Sequence, residues 1–291
     1  MVKNNSKIFN VILYFIMAIL VVSCFYPLWY AFCLSISSKA AANSGLVTII
    51  PVGFSLRSYT EIMGDWKFFN SFFISIERTV LGTVITLFVL ILMGYPLSKN
   101  KNQFRLRNPI MWLVIFCMVF NSGLIPWYMT MVSYNMTDSV FGLALCGGLP
   151  VFNLLIIVSF FRALPKDLEE AALVDGAGPW RVLFQIIVPC SKPVLATIVL
   201  FTSVGYWNEF FQGLVLSSGE LHYPLQTYIQ QVVVNVQTSN MTADQAKLLS
   251  ELSNKSLNAA KVFIAMIPML IVYPFLQKYF VSGIMLGAVK E

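Results

Sequence analysis

The sequence predicts an all-α integral membrane protein with six transmembrane helices and a cytoplasmic helix-loop-helix between helices 4 and 5. Of its 291 residues, 58% are hydrophobic and only 11% are charged, whereas about a quarter of a soluble domain is charged. The apolar residues form separate blocks, and each block approaches the roughly 20 residues that a helix needs to cross a bilayer. Positive charges gather in short loops, which indicates the side on which each loop lies.

Composition also limits the possible functions. The formal net charge of +6 is typical of cytoplasmic loops in a membrane protein, so we expect no nucleic-acid partner. The five cysteines include no C-x-x-C pair, and the four that lie in apolar blocks are interpreted as small hydrophobic residues. The single histidine, His222, lies in a polar loop and is predicted to be a surface residue. We therefore expect no metal site and no cofactor on this chain.

The first predicted helix covers roughly residues 8–33. Apolar and aromatic residues continue through 25–35, so the block is interpreted as a retained helix rather than a cleaved signal peptide. The amino terminus is then cytoplasmic, and the mixed-polarity segment 37–68 is predicted to be an extracytoplasmic loop. The sequence thus predicts two domains. Residues 1–69 form the first helix with its extracytoplasmic loop, and residues 70–291 form the main transmembrane domain.

The second helix is predicted at about 70–97, with Glu77 and Arg78 interpreted as an interfacial ion pair near its outer end. The loop that follows carries four positive charges and no negative charge, which marks it as cytoplasmic. These charges are Lys99, Lys101, Arg105 and Arg107.

Four further blocks complete the predicted six helices, with both termini in the cytoplasm. The third is expected to be irregular near its outer end, and the fourth is interrupted by Gly147-Gly148 and Pro150. Backbone irregularity at membrane depth is tolerated where it is buried or lines a cavity. A pathway lining and plain helix packing around glycine both remain open at this point. The four blocks cover about 109–131, 139–161, 194–217 and 259–281.

A polar segment, residues 165–193, separates the fourth and fifth blocks. Asp167 and Glu170 resemble a capping box at the start of a short helix. Asp175-Gly176 is predicted to end this helix. A second helix is expected over Trp180–Val188, so the segment is predicted to form a helix-loop-helix.

The residues of 165–193 leave two interpretations of this segment open. In one, Glu170 only caps a helix and Trp180 only anchors the chain at the membrane interface. In the other, Ala171 and Ala172 leave a low surface on which another protein docks.

The segment resembles the EAA signature of permease subunits from bacterial ABC importers. The match consists of Glu170-Ala171-Ala172, Asp175-Gly176-Ala177, Phe184, Ile187, Pro189 and Pro193. Val188-Pro189-Cys190 departs from the commoner Leu-Pro-Leu. The resemblance extends over about residues 70–290 and is closest to the second permease of maltose-type carbohydrate importers. The residues that carry it include Asn70-Ser71, Tyr95, Trp207-Asn208 and Pro224-Leu225-Gln226.

Two further stretches, Gly123-Leu124-Ile125-Pro126 and the ending KYFVSGIMLGAVK, are similar to permeases for complex oligosaccharides. The resemblance implies a transport subunit for an oligosaccharide or polysaccharide fragment, with no catalysis on this chain. It implies a second, different permease, two ATPase subunits that bind ATP and Mg, and an extracellular solute-binding protein. No G-x-x-x-x-G-K-[ST] motif occurs in the sequence.

In this family the polar segment is a coupling helix that docks on the ATPase. The coupling residues that the resemblance implies are Glu169, Glu170, Ala171, Ala172, Asp175, Gly176, Ala177, Arg181 and Phe184. For the sugar pathway, hydrogen-bonding groups beside an aromatic face and a carboxylate within an apolar block are the natural candidates. They are Tyr206, Trp207, Asn208 and Glu209, with Asn121 and Asn153 as lesser candidates.

Three alternatives remain at the level of sequence. In the first, Glu209 pairs with a neighbouring helix and the aromatic residues beside it only pack. In the second, the importer carries a solute other than a sugar. In the third, the chain is a self-contained secondary transporter or channel, and Glu209 is an ion-coupling site. An intramembrane enzyme would need paired carboxylates or a nucleophile with a base, which the sequence does not supply.

Overall fold

The computed structural model describes residues 5–120, 122–234 and 255–288. These residues are helical or irregular, and none of them lies in a β-strand. The helices are α1 (Asn5–Ser35), α2 (Lys39–Asn43), α3 (Arg57–Met63), α4 (Trp66–Ser98), α5 (Arg107–Val119), α6 (Leu124–Ser133), α7 (Val140–Leu145), α8 (Val151–Ala163), α9 (Asp167–Val174), α10 (Pro179–Val182), α11 (Val188–Cys190), α12 (Lys192–Asn208), α13 (Phe211–Leu216), α14 (Leu225–Tyr228) and α15 (Lys255–Ala288).

Three of the described helices are long and apolar enough to cross a membrane. They are Phe9–Ser35 of α1, Trp66–Ser98, and Lys255–Pro274 of α15. Two bent pairs raise the number to five if each pair counts as one span: α5 with α6 at 114°, and Pro179–Cys190 with α12 at 80°. The all-α membrane class predicted from the apolar blocks is thus confirmed.

Three of the predicted spans are broken in the structure. The irregularity predicted in the third block is confirmed as a break, because α5 ends at Val119 and α6 begins after Gly123, whose φ of 82° favours glycine. The fourth is divided at Gly147-Gly148, as the sequence predicted. The prediction of a continuous fifth helix was wrong, because α12 ends at Asn208 and α13 begins at Phe211.

The chain divides into two units, Met1–Phe69 with Ile229–Pro268, and Asn70–Tyr228 with Met269–Glu291. In the first unit, buried polar contacts hold the segments together. Ser58 and Ser256 share a hydrogen bond of 2.7 Å, and Ser256 donates another to the Ser37 carbonyl. Lys261 is buried and paired with Asp65 at 2.7 Å.

The core of the second unit is built by α4, α8 and α12 together with the predicted helix-loop-helix. Leu90, Leu154 and Ile198 are fully buried there, and Ala172 and Val182 join the same apolar cluster. Gly94 permits the close approach of α4 to α8, since a Cβ at this position would lie 2.8 Å from Ile157. The polar segment therefore rests on the core of this unit through its small apolar side.

Two turns of the second unit are joined by Asp138. Its two carboxylate oxygens accept hydrogen bonds of 2.6 Å from the backbone N–H and the hydroxyl of Ser218. These bonds favour the ionised carboxylate, so they lower the pKa of Asp138 below its usual value. Asp138 adopts a φ of 53°, a left-handed conformation that Asp and Asn tolerate better than other side chains do.

Candidate functional site

Helix α9 ends in a Schellman motif. The N–H of Gly176 donates to the Leu173 carbonyl and the N–H of Ala177 donates to the Ala172 carbonyl, the two bonds that define this motif. Gly176 has a φ of 76°, which a residue with a side chain adopts only with strain. Ala172 and Ala177 are both buried in the core and form the apolar contact that accompanies such a turn. Ala172, Gly176 and Ala177 therefore build the frame of the segment.

The other predicted coupling residues lie on its surface. Glu170, Ala171, Asp175 and Arg181 are exposed, and Phe184 is 42% exposed. Large apolar side chains surround them: Leu173 is 55%, Val174 87% and Trp180 65% exposed. The rings of Trp180 and Phe184 stack with centroids 6.1 Å apart. The helix-loop-helix thus presents a mixed charged and apolar face on a fixed backbone.

Glu169 differs from its neighbour Glu170. Its carboxylate accepts a hydrogen bond of 3.0 Å from the Tyr95 hydroxyl and forms an ion pair with Lys99. Tyr95 lies near the end of α4 and Lys99 follows directly after that helix. Glu169 therefore ties α9 to the end of α4.

The predicted capping box is wrong. The N-cap of α9 is Lys166, and no side-chain hydrogen bond caps the helix. Asp167 lies inside the first turn, where it still meets the positive end of the helix dipole together with Glu169 and Glu170. Because the helix begins one residue earlier than the box requires, Asp167 does not adopt the extended conformation of a capping residue.

The second helix of the segment contains a π-helical stretch, Leu183–Ile187, between α10 and α11. The Val188 N–H donates to the Leu183 carbonyl five residues earlier. In a regular α-helix the ring of Pro189 would collide with the carbonyl of Gln185, four residues before it. The wider π turn accommodates Pro189, so the helix continues to Cys190 instead of ending at the proline as predicted.

A cavity of about 190 Å³ lies in the second unit. Residues of α4, α8, α12 and α13 line it, together with the breaks after α7 and after α12. The lining is Arg78, Thr86, Gly147, Gly148, Pro150, Asn153, Phe201, Thr202, Gly205, Tyr206, Glu209 and Gln212. Asn153 donates a hydrogen bond to Thr202, and the Tyr206 hydroxyl lies 3.1 Å from that of Thr86. Uncharged hydroxyl and amide groups beside an aromatic ring suit a ligand rich in hydroxyl groups.

Arg78 is fully buried beside this cavity. Its guanidinium donates to the Leu143 carbonyl at 3.1 Å, to the Glu209 carbonyl at 3.1 Å and to the Glu209 carboxylate at 3.0 Å. It also donates to the side-chain oxygen of Gln212. The interpretation of Glu77 and Arg78 as an interfacial pair is thus wrong, because Arg78 pairs with Glu209 while Glu77 is exposed.

Glu209 uses both carboxylate oxygens within the chain. One is paired with Arg78, and the other accepts a 2.8 Å hydrogen bond from the Gln212 N–H at the start of α13. The break between α12 and α13 is thereby stabilised at both sides. The Glu209 carboxylate therefore stabilises the break between α12 and α13, which agrees with the alternative in which Glu209 pairs with a neighbouring helix.

The described residues contain no group of three or more His, Cys, Asp and Glu side chains arranged to hold a metal ion. Cys146, beside the cavity, is buried and free, and its thiol lies 3.0 Å from the Gln212 side-chain oxygen.

Residues 90–286 match the family of binding-protein-dependent transport system inner membrane components. The chain belongs to this family. It is therefore a permease subunit of an ABC importer, a transport component and not an enzyme, and it resides in a cell membrane that it crosses more than once.

Proteins named for carbohydrate transport are among those that this permease resembles. It is 32% identical over 288 residues to the polygalacturonan/rhamnogalacturonan transport system permease protein YtcP of Bacillus subtilis, which covers 98% of this chain and 99% of YtcP. It is 37% identical over 266 residues to the protein LplC of the same organism, covering 91% and 88%. The crystal structure of a bacterial ABC transporter that imports the acidic polysaccharide alginate matches with a TM-score of 0.86 at 32% identity, covering 96% of this permease and 99% of that chain.

The predicted pathway residues of the permease separate into three groups. Asn153, Tyr206 and Glu209 meet at the cavity. Trp207 lies outside the lining, buried against Phe72 with ring centroids 5.7 Å apart, and Asn208 is exposed at the end of α12. Asn121 lies outside the described residues.

Sequence reasoning missed four of the polar cavity residues, Arg78, Thr86, Thr202 and Gln212. Arg78 was visible as a charge inside an apolar block, which is itself a signal of function. Its neighbour Glu77 offered a simpler partner and obscured the pairing with Glu209, which is 131 residues away.

Proposed function

We propose that this permease imports an oligosaccharide or polysaccharide fragment and is driven by ATP that a separate ATPase subunit hydrolyses with Mg. The carbohydrate names of its relatives support the substrate class. The cavity supports it as well, because Asn153, Thr86, Thr202 and Tyr206 offer neutral hydrogen-bonding groups to sugar hydroxyls.

One observation supports coupling to the ATPase. The helix-loop-helix has an exposed face, and its backbone is held in place by several contacts. Glu170, Ala171, Asp175, Arg181 and Phe184 supply the contact surface. The Schellman turn at Gly176, the buried alanines and the tether of Glu169 hold that surface in place. A docking element has to transmit force, and a rigid element with several anchors does so better than a flexible loop.

The assembly that follows contains a second, different permease, two ATPase subunits and an extracellular solute-binding protein. The chain crosses the lipid bilayer six times with both termini in the cytoplasm, and the broken helices count as single spans. Residues 1–69 form the first span with its outer loop, and residues 70–291 form the domain that couples to ATP. Closure of the ATPase pair moves α9 and α10 and shifts the spans from an inward-open to an outward-open state, since the docked face differs in its contacts between the two.

For the pathway, Tyr206, Asn153 and Glu209 form the wall nearest the cavity, with Trp207 and Asn208 supporting the end of α12. Both Glu209 oxygens are engaged within the chain, which disfavours an ion-coupling carboxylate of the kind that a secondary transporter uses.

Reconstitution into vesicles tests the proposal. The permease, its partner permease, the ATPase and the binding protein are expected to take up pectic or related oligosaccharides only with ATP on the ATPase side. The permease without ATPase is expected to show no uptake. Uptake by the permease alone, driven by an ion gradient, would replace this function with secondary transport, and ATP-driven uptake of only non-sugar solutes would correct the substrate class.

A further inference from the structure

The two helix breaks, one after α7 and one before α13, form one wall of the cavity. Helices α7 and α13 have six residues each, too few to be stable alone, since isolated helices shorter than about 12 residues are marginal in water. They contact each other, and the breaks beside them contribute Gly147, Gly148 and Glu209 to the lining. The position of this wall therefore depends on side chains that reach it from other helices.

Three such side chains bind the carbonyl end of α7. Arg78 donates to the Leu143 carbonyl, Tyr206 to the Ala144 carbonyl at 2.7 Å, and the Trp127 indole to the Cys146 carbonyl at 3.0 Å. The last carbonyls of a helix have no partner within it and carry the negative end of its dipole. Arg78 is the one charged group of the three.

Arg78 reaches further than the other two. The same guanidinium binds the Glu209 carbonyl, where α12 ends, and the side chains of Glu209 and Gln212, which begin α13. A guanidinium has five N–H donors in a fixed plane, whereas an ammonium is a compact point charge with three. One arginine thus joins the ends of two helices and the start of a third.

We propose that Arg78 is a positioning residue that sets the wall of the cavity, through its geometry as a multiple donor more than through its ion pair with Glu209. Without it, α7 and α13 lose their common ligand and the break after Asn208 opens. Water then enters beside Cys146, whose thiol contacts Gln212 in the closed arrangement. The relevance of this inference to transport rests on the proposed function, but its main test, cysteine labelling, needs no sugar.

Cys146 is a natural reporter of the opening. The purified permease complex is treated with a maleimide, and the labelling rate of each cysteine is measured by peptide mass spectrometry. Cys33, buried in the first unit, reports general unfolding, and Arg105→Gln, at an exposed position, is the matched control. Arg78→Gln is expected to accelerate labelling of Cys146 about tenfold or more, because a buried charged donor set is lost. Labelling of Cys33 stays unchanged.

Two conservative variants separate geometry from charge. Arg78→Lys keeps the charge but cannot reach all four acceptors. Glu209→Gln removes the charge and one of the two side-chain oxygen acceptors, but it keeps the other side-chain oxygen and the Glu209 backbone carbonyl that Arg78 also binds. Labelling of Cys146 is expected to be faster in Arg78→Lys than in Glu209→Gln. In vesicles, Arg78→Lys raises the half-saturation concentration for sugar while the ATPase still copurifies.

Three results would overturn the proposal. They are an unchanged Cys146 rate in Arg78→Gln, a Glu209→Gln rate equal to or above that of Arg78→Lys, and equal acceleration at Cys33 and Cys146 in both Arg78 variants. The first two would reduce the cluster to an ordinary ion pair or to passive packing, and the third would indicate general unfolding. A wild-type complex that labels as expected but carries no sugar would contradict the proposed function alone.

Discussion

Glu169 and Lys99 form an ion pair across 70 residues of sequence, and this pair anchors α9 to the end of α4. The next residue, Glu170, is exposed. Two adjacent acidic residues that the EAA resemblance groups together therefore have separate tasks, one within the permease and one at its surface.

Charge reversal at Glu170 is expected to abolish docking. In Glu170→Arg, copurification of the ATPase with the permease is expected to fall at least tenfold, because a basic side chain replaces an acidic one on the proposed docking face. Glu169→Gln keeps the ATPase bound but lowers uptake per ATP hydrolysed, since the tether to α4 is weakened. Glu61→Arg, at a surface pair on another helix, is the control and leaves copurification unchanged. Normal docking of Glu170→Arg would remove this residue from the interface.

Ala171 and Ala172 provide a matched pair. Ala172 is buried in the core, so Ala172→Leu overpacks it and costs about 1–3 kcal/mol, which appears as a lower Tm of the isolated permease. Ala171 is exposed, and Ala171→Leu is expected to leave that Tm unchanged while obstructing the ATPase. Thermal unfolding and copurification are measured on both variants. If Ala171→Leu lowered the Tm and Ala172→Leu obstructed the ATPase, the other face of α9 would be the docked one.

Gly176 is expected to tolerate replacements in the order Asn, Ala, Val. A Cβ at this position meets no atom within 4 Å, so the cost is backbone strain alone, about 1–2 kcal/mol for an ordinary side chain in the left-handed conformation. Asn tolerates this conformation best, and β-branched Val tolerates it worst. ATP-coupled uptake and Tm should fall together along the series. Full coupling in Gly176→Val would show that the turn does not transmit the ATPase motion.

Asn153 and Asn208 test the cavity as the pathway. Asn153 lines it, whereas Asn208 does not. Asn153→Leu removes an amide at similar size and is expected to raise the half-saturation concentration for sugar several-fold, with the ATPase still bound. Asn208→Ala is expected to change that concentration little. If both substitutions changed the half-saturation concentration equally, the cavity would not be the sugar pathway.

Asp138 makes stability depend on pH in the acidic range. Its pKa is lowered in the folded state by Ser218, so its contribution is complete above the unfolded value of about 3.9 and is lost as pH falls through the folded value. Asp138→Asn keeps a residue that accepts positive φ and removes the charge. The Tm difference between wild type and this variant is expected at pH 7 and should shrink below about pH 4. A Tm difference that does not change with pH would show that the backbone conformation at Asp138, and not its charge, causes the loss of stability.

Much of the fold and part of the site were predictable from local pattern. Apolar blocks predicted the long helices α1, α4 and α15, because burial in lipid acts on each block separately. Gly147-Gly148 and Pro150 predicted the break between α7 and α8. The break after Asn208 was not predictable, since no glycine or proline marks it and its stabilising partner, Arg78, lies on another helix.

The sequence by itself determined the membrane class, the family and the turn at Gly176, since each depends on composition or on residues within a few positions of one another. Only the tertiary structure decided which side of α9 is buried, which of Glu169 and Glu170 is exposed, and where the charge of Arg78 is compensated. These outcomes depend on contacts between residues 70 or more positions apart. A buried charge takes whatever partner the packing of helices brings within reach, and that partner leaves no trace in the sequence around it.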